Sequence, residues 1–137
     1  MLGYSRAVIC WVFPDQRADS VDQLDINRAV EGIIERSEPD IVYTHHPGDL
    51  NLDHRRVAEA VLVETRGRLS VQCMTPEWPG RCIGPPFLGT VRVDITETLA
   101  QKVAACRCYV DELRPWPHPR SIQAIQAQTV ELFDAYD

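Results

Sequence analysis

Short runs of hydrophobic residues alternate along this chain with longer stretches in which hydrophobic residues recur every three or four positions. The short runs are rich in β-branched and aromatic residues, which is typical of buried strands. We predict strands at Ala7–Phe13, Asp40–Thr44 and Leu69–Thr75, and a short edge strand at Val91–Val93.

The longer stretches predict amphipathic helices, because their spacing places the hydrophobic side chains on one helix face. The first helix is expected to begin at Ser20, which forms a capping-box pattern with Gln23, and to end near Arg36, before Pro39. Three more helices are predicted, from Asp53 or His54 to about Thr65, from Asp94 to about Glu112, and from Ser121 onward.

The alternation of strands and helices predicts an α/β fold, a Rossmann-like three-layer sandwich with a mostly parallel sheet. A length of 137 residues predicts a single domain over residues 1–137. In such sheets, ligands bind beyond the carboxyl ends of the strands. Asp15–Arg17 and His45–His54 each follow a predicted strand, so we expect both segments at that edge of the sheet.

Residues 44–54 concentrate side chains that bind metals or transfer protons: two carboxylates, three imidazoles and a carboxamide. Zinc sites need about three protein ligands and an open position for water, and imidazole is a preferred ligand. The segment therefore predicts an active site built around a metal. His54 is either a ligand or a solvent-exposed histidine at a helix start, and Asp49, Asn51 and Asp53 either serve the site or cap the helix.

Two further features allow other interpretations. The spacing of Asp49, Asn51 and Asp53 matches the first ligands of a calcium-binding EF-hand loop, but the glycine and the final glutamate of that pattern are missing, which excludes it. Near the C-terminus, His118 and Arg120 lie on a proline-rich segment that either braces a loop or contacts a substrate.

Net charge, hydrophobicity and cysteine content exclude some partners and locations for this chain. The net charge of −6 disfavours nucleic acid and anionic membranes as partners, and no hydrophobic run approaches the roughly 18 residues that span a bilayer. Five scattered cysteines without a C-x-x-C pair indicate reduced thiols, as in a cytoplasmic protein.

Four stretches stand in a characteristic order and spacing between about Leu2 and Ile125: Phe13–Arg17 with Asp19, Pro39–His54, Val93–Thr96 and Leu113–Ser121. Together they resemble the PIG-L/LmbE family of zinc-dependent N-deacetylases, whose substrates are mostly N-acetylglucosamine-containing molecules. The resemblance implies zinc as cofactor, an N-acetylated sugar or sugar conjugate as substrate, and hydrolysis of the acetamide by a zinc-activated water.

By this resemblance, His54 is the family's zinc ligand and Asp53 the carboxylate beside it. Some relatives have a histidine that stabilises the oxyanion where this chain has Asn51, so His45 or His46 is an alternative for that role. We therefore expect catalytic roles for Asp53, Asn51 and His45, and substrate contacts at Asp15, Arg17, Asp49, His118 and Arg120.

The family's His-Pro-Asp-Asp motif, which supplies two more zinc ligands and the general base, has no counterpart in this sequence. We expect the chain to correspond to the C-terminal two-thirds of the family domain, without its first strand. It should have little or no activity alone and should self-associate through unpaired strand edges. The alternatives are a non-catalytic remnant that binds a sugar or a protein, and a different metal site formed by His45, Asp49 and His54.

Overall fold

The computed structural model describes residues 13–67, 70–74 and 81–127. Its internal contacts divide the chain into two compact units, Met1–Met74 and Thr75–Asp137. The strand predicted at Ala7–Phe13, except for its last residue, lies outside the described residues, as does the end of the last predicted helix. The single domain over residues 1–137 stays a prediction.

In the first unit, helices and strands alternate as predicted. The two strands β1 and β2 run parallel, with Ile41 opposite Ser70 and Thr44 opposite Cys73, and the intervening helix α2 provides the crossover that parallel pairing requires. The α/β fold class is confirmed, as a small parallel sheet compatible with a Rossmann-like arrangement. The elements are α1 (Gln23–Ser37), β1 (Ile41–Thr44), α2 (Leu52–Thr65) and β2 (Ser70–Cys73).

The core of this unit lies where α1 and α2 pack on each other and on the sheet. Ile26 of α1 and Ala60 of α2 are almost completely buried, and Val42 of β1 and Val71 of β2 pack against the same cluster. Burying a branched aliphatic side chain contributes about 1.5–3 kcal/mol, so these contacts position the two helices relative to the sheet.

The start of α1 differs from the prediction. Ser20 does not cap the helix, because Ala18–Ser20 forms a 3₁₀ turn in which the Ser20 hydroxyl donates to the Arg17 carbonyl at 2.7 Å. The cap is Asp22, whose carboxylate accepts the Leu24 N–H at 2.8 Å. The predicted start at Ser20 is therefore wrong by two residues.

The boundaries of α2 agree with the prediction within two residues. Asn51 is the N-cap, and its side-chain oxygen accepts the backbone N–H groups of Asp53 and His54 at 2.9 and 3.4 Å. After α2 the chain turns at Gly67, whose φ of 69° is accessible to glycine without strain.

The second unit contains α3 (Leu99–Arg107), which is shorter than predicted. The Asp94 carboxylate accepts the N–H and the hydroxyl of Thr96 at 2.9 and 2.6 Å. It therefore stabilises a turn instead of capping a helix, and the predicted span from Asp94 to about Glu112 is wrong at both ends. The expected strand at Val91–Val93 is also wrong, since these described residues are mostly exposed and have no strand conformation.

A last helical segment at residues 122–127 follows Ser121, as predicted. The buried Ser121 hydroxyl accepts the Ala124 N–H at 3.0 Å and so caps this segment. In the described part of the chain, no helix combines the length and the hydrophobicity needed to cross a membrane.

Candidate functional site

The candidate site lies in the loop that connects β1 to α2, at the carboxyl end of the strand. Two hydrogen bonds fold this loop back on itself: the Asp49 N–H donates to the His46 carbonyl at 3.0 Å, and the Gly48 N–H donates to His46 Nδ1 at 3.1 Å. His46 therefore stabilises the turn that brings Asp49 towards the start of α2.

Asp49 contacts the imidazole of His54. Its Oδ2 lies 3.1 Å from His54 Nδ1, and its Oδ1 accepts the Asn51 N–H at 2.9 Å. An ionised carboxylate only accepts hydrogen bonds, so His54 Nδ1 must carry the proton. In the neutral ring the lone pair is then on Nε2, the atom that can bind a metal or receive a proton.

The electrostatics of Asp49 support its ionised form. Burial of this carboxyl raises its pKa, but the hydrogen bonds from Asn51 and His54 and the nearby imidazoles outweigh burial. The net result is a pKa below the usual value for aspartate. A buried, ionised carboxylate that hydrogen-bonds a histidine is a common way to fix the orientation of a ligating ring.

The imidazole of His45 stacks on the imidazole of His54. The ring centroids of His45 and His54 are 3.9 Å apart and the rings are inclined by 6°. Burial and the neighbouring His54 lower the pKa of His45, although Asp49 acts in the opposite direction. The stacked arrangement therefore favours a neutral His45 ring at neutral pH.

Asn51 and Asp53 already have structural partners. Asn51 caps α2 through its side-chain oxygen, and the Asp53 carboxylate accepts the Ala18 N–H at 3.0 Å. The second contact attaches the 3₁₀ turn at Ala18–Ser20 to the start of α2. The catalytic roles expected for Asn51 and Asp53 stay predictions.

Asp15 and Arg17 lie in a turn closed by the Arg17 N–H, which donates to the Pro14 carbonyl at 3.2 Å, just before the 3₁₀ turn. Both are exposed, and Gln16 between them has a φ of 54°. A position of Asp15 and Arg17 at the carboxyl edge of the sheet, beside the histidine loop, stays a prediction. Direct contacts between these two side chains and His54 are not among those seen in the described residues.

His118 and Arg120 lie in the second unit. His118 Nδ1 accepts the Arg120 N–H at 3.1 Å, and the Arg120 guanidinium is paired with Glu112. These contacts support a bracing role for the proline-rich segment within its own unit. Substrate contact by His118 and Arg120 stays a prediction.

The described residues do not fit a complete zinc site. No group of three or more His, Cys, Asp or Glu side chains within them is arranged to hold a metal ion. His45, Asp49 and His54 are neighbours, but the two imidazoles face each other ring to ring and the Asp49 oxygens are directed at His54 and Asn51. The alternative metal site formed by these three residues is therefore not supported.

The sequence did not reveal the pairing of Asp49 with His54. A spacing of five residues across a loop and a helix start has no fixed geometry, so Asp49 was expected to contact a substrate. The one available signal is the His46-Pro47-Gly48 turn before Asp49, since a turn that reverses the chain there directs the carboxylate back to the helix.

With this geometry established, comparison with known proteins points to a class of enzyme. The family model described as GlcNAc-PI de-N-acetylase, PIG-L, matches residues 1–64. The match covers 64 of 137 residues and includes β1, the histidine loop and nearly all of α2. It supports the PIG-L resemblance and suggests a deacetylase-type hydrolase. Neither the curated proteins nor the solved structures gave a significant match.

Proposed function

We propose that this chain is a PIG-L-type de-N-acetylase that acts on an N-acetylated sugar or sugar conjugate, and that His54 is its metal-ligating histidine. Asp49 orients the ring of His54, and His45 stacks on it. In this proposal Asp53 is the catalytic carboxylate beside the ligand, and Asn51 or His45 donates to the developing oxyanion.

One observation carries the proposal: the Asp49–His54 hydrogen bond, at 3.1 Å, inside the segment that matches the family model. A carboxylate that holds Nδ1 fixes the orientation of the ring and leaves Nε2 available for a metal ion. A solvent-exposed histidine at a helix start would not need a buried acidic partner. Asp49 is only 8% exposed, whereas the His54 side chain is 38% exposed, so their contact is partly shielded from water.

The proposal includes reduced activity. The described residues supply one suitable imidazole and do not complete a three-ligand zinc site. We expect the chain alone to bind zinc weakly and to release little or no acetate.

A second candidate function is supported by the incomplete metal site and by the ordered histidine loop. The described residues contain no group of three or more side chains that could hold a metal ion, but the polar loop between β1 and α2 is ordered. Such a loop can bind a sugar without cleaving it. Asp15, Arg17 and Asp49 of the first unit would then serve recognition only. Substrate contact by His118 and Arg120 is a separate expectation for the second unit.

The experiment measures three quantities on the full chain: zinc affinity, acetate release from N-acetylglucosamine derivatives, and affinity for the same sugars. His54→Ala removes the proposed ligand. His46→Asn is the matched control, because it removes an imidazole from the same loop while the asparagine oxygen can still accept the Gly48 N–H.

The results distinguish a de-N-acetylase from a protein that only binds a sugar. Weak zinc binding and sugar affinity that His54→Ala lowers, with His46→Asn unchanged, would support a sugar-binding site of low activity. Strong turnover with zinc that His54→Ala abolishes would support the enzyme and refute the reduced activity. No affinity for sugar and no turnover, with or without zinc, would refute the proposed function.

A further inference from the structure

An apolar groove runs along β1, beside the C-terminal half of α1. Its volume is about 370 Å³, and every residue that lines it belongs to the first unit. The lining side chains are mainly aliphatic and come from both helices and from β1, among them Val30, Ile33, Ile34, Ile41, Val57 and Val61. The groove is therefore a slot between the helices and a strand.

One edge of β1 carries unpaired backbone groups. The Thr44 carbonyl accepts the Met74 N–H at 2.8 Å, so the backbone groups of Thr44 and, two residues earlier, of Val42 point towards β2. The direction alternates along a strand, so the N–H and C=O groups of Ile41 and Tyr43 point the opposite way. Within the described residues these groups have no hydrogen-bond partner, and the sheet has only two strands. Such an edge is a template for another strand.

The side chains at this edge also lack a covering partner. The Thr44 hydroxyl lines the groove and is buried, yet it has no hydrogen-bond partner in the described part of the chain. Buried polar atoms are nearly always paired, so this hydroxyl indicates a group that is still to be placed in the groove. Ile41 and Tyr43 are 44% and 61% exposed, which leaves apolar surface beside the unpaired backbone.

We propose that the groove is occupied by the chain's own segment Ala7–Val12, which adds to β1 as a parallel strand. This segment precedes the residues that the structure describes. All six of its side chains are apolar, as are most of those that line the groove. Val8, Ile9, Trp11 and Val12 are of the β-branched and aromatic types that favour strands.

The position where the described chain begins places this segment within reach of the groove. Phe13 packs against the cluster that includes Val30 and Val61, and the same two valines line the groove. Six extended residues span about 20 Å, which exceeds the roughly 13 Å of the four-residue β1. The segment therefore ends beside the groove and is long enough to fill it.

The connection from this segment to β1 has the form that parallel pairing requires. After Phe13 the chain turns and forms the 15-residue helix α1 before it enters β1. A strand, a helix and a second parallel strand form a right-handed crossover in nearly all proteins, and successive strands are usually neighbours. The helix of such a unit packs on its strands, and α1 lines the groove in this way.

The added strand would also support the candidate site. His45, the residue after β1, lines the groove, and its ring stacks on the ring of His54. Backbone pairing along Ile41 and Tyr43 would restrain the end of β1 that carries His45. The segment is then a positioning element for the histidine cluster, whether or not the cluster catalyses a reaction.

The test measures amide hydrogen exchange of the full chain by NMR. The Tyr43 N–H reports on the outer edge of β1, and the Thr44 N–H is the internal control because it points towards β2. We expect the Tyr43 N–H, like that of Thr44, to exchange at least about tenfold more slowly than an unprotected amide.

Proline variants identify the segment responsible. Ile9→Pro and Cys10→Pro are both needed, because adjacent N–H groups point to opposite edges of a strand and only one of the two can face β1. At least one variant should return the Tyr43 N–H to the unprotected rate while the Thr44 N–H stays slow. Ser5→Pro, which lies before the segment, is the matched control and should change neither rate.

Three exchange results would overturn the proposal. They are a Tyr43 N–H that exchanges as fast as an unprotected amide while Thr44 is slow, protection that survives both proline variants, and protection that disappears on dilution, which would indicate a second copy at this edge. A further measurement needs no variant: nuclear Overhauser effects between the methyl groups of Val8 or Ile9 and those of Ile34 or Val57 are expected, and their absence would also refute the proposal. None of these readouts involves a metal, a sugar or turnover, so they are independent of the proposed function.

Discussion

Replacing Asp49 with asparagine removes the charge that orients His54 while keeping the size of the side chain. In the parent structure, Asp49 Oδ2 lies 3.1 Å from His54 Nδ1, and Oδ1 accepts the Asn51 N–H at 2.9 Å. Asparagine can keep the second contact through its oxygen. It then presents its NH₂ group to His54, so the preferred tautomer of His54 changes to one with the proton on Nε2.

The expected cost in stability is small but measurable. A hydrogen bond to a charged group contributes about 1.5–3 kcal/mol, and the His54 side chain is 38% exposed, which weakens the contact. We expect Asp49→Asn to lower the free energy of unfolding by about 1–2 kcal/mol, equivalent to about 3–7 °C in Tm for a chain of this size.

The assay combines urea denaturation with nitrogen chemical shifts of the His54 ring, which distinguish the two tautomers. Asp53→Asn is the matched control, because Asp53 is a neighbouring acid whose carboxylate accepts the Ala18 N–H and does not contact the ring of His54. It should leave the His54 tautomer unchanged. If Asp49→Asn also left the tautomer and the Tm unchanged, the proposed orientation of His54 by Asp49 would be refuted.

Three other predictions concern stability. The folded state keeps the pKa of His45 below its usual value of about 6.5, so below that pH the unfolded chain binds more protons than the folded chain. The free energy of unfolding should therefore fall as the pH decreases from about 7 to 5. His45→Phe, which keeps a stacked ring, should reduce this pH dependence, and an unchanged pH profile would contradict the prediction. Asn51→Ala removes the cap of α2 and should cost about 1 kcal/mol by urea denaturation; an unaltered midpoint would show that the cap contributes nothing. Ile26→Ala in the core should cost about 2–5 kcal/mol, whereas Ile41→Ala, at a side chain 44% exposed, should cost less than about 1 kcal/mol; equal losses would contradict the position of the core.

The positions of β1 and α2 in the first unit could be predicted from the sequence because both elements have strong local signals. α2 is bounded by a capping asparagine at Asn51 and a glycine turn at Gly67, and β1 is a short β-branched run after Pro39. In each case the hydrophobic pattern and the end signals agree, which is the condition under which sequence determines local structure.

The second unit shows why a capping pattern alone is insufficient. Asp94 and Glu97 have the spacing of a capping box, yet Asp94 is used to stabilise a turn with Thr96, and α3 begins only at Leu99. Aspartate stabilises turns and helix starts through the same type of hydrogen bond, so the residue type does not decide between them. The pairing of Asp49 with His54 was hidden for a related reason, since it depends on how a loop folds in space.

The orientation of His54 is determined by the chain itself. His46 closes the turn that places Asp49, Asn51 caps the helix that carries His54, and Asp49 then fixes the ring. A group that is already oriented loses little conformational freedom when a ligand binds, so the site keeps part of its affinity even when other ligands are absent. His54→Ala and Asp49→Asn therefore report different quantities: the first removes the donor atom, whereas the second leaves it in place but misdirects its lone pair. A metal or sugar affinity lowered more by His54→Ala than by Asp49→Asn would show that His54 contributes beyond the orientation that Asp49 gives it.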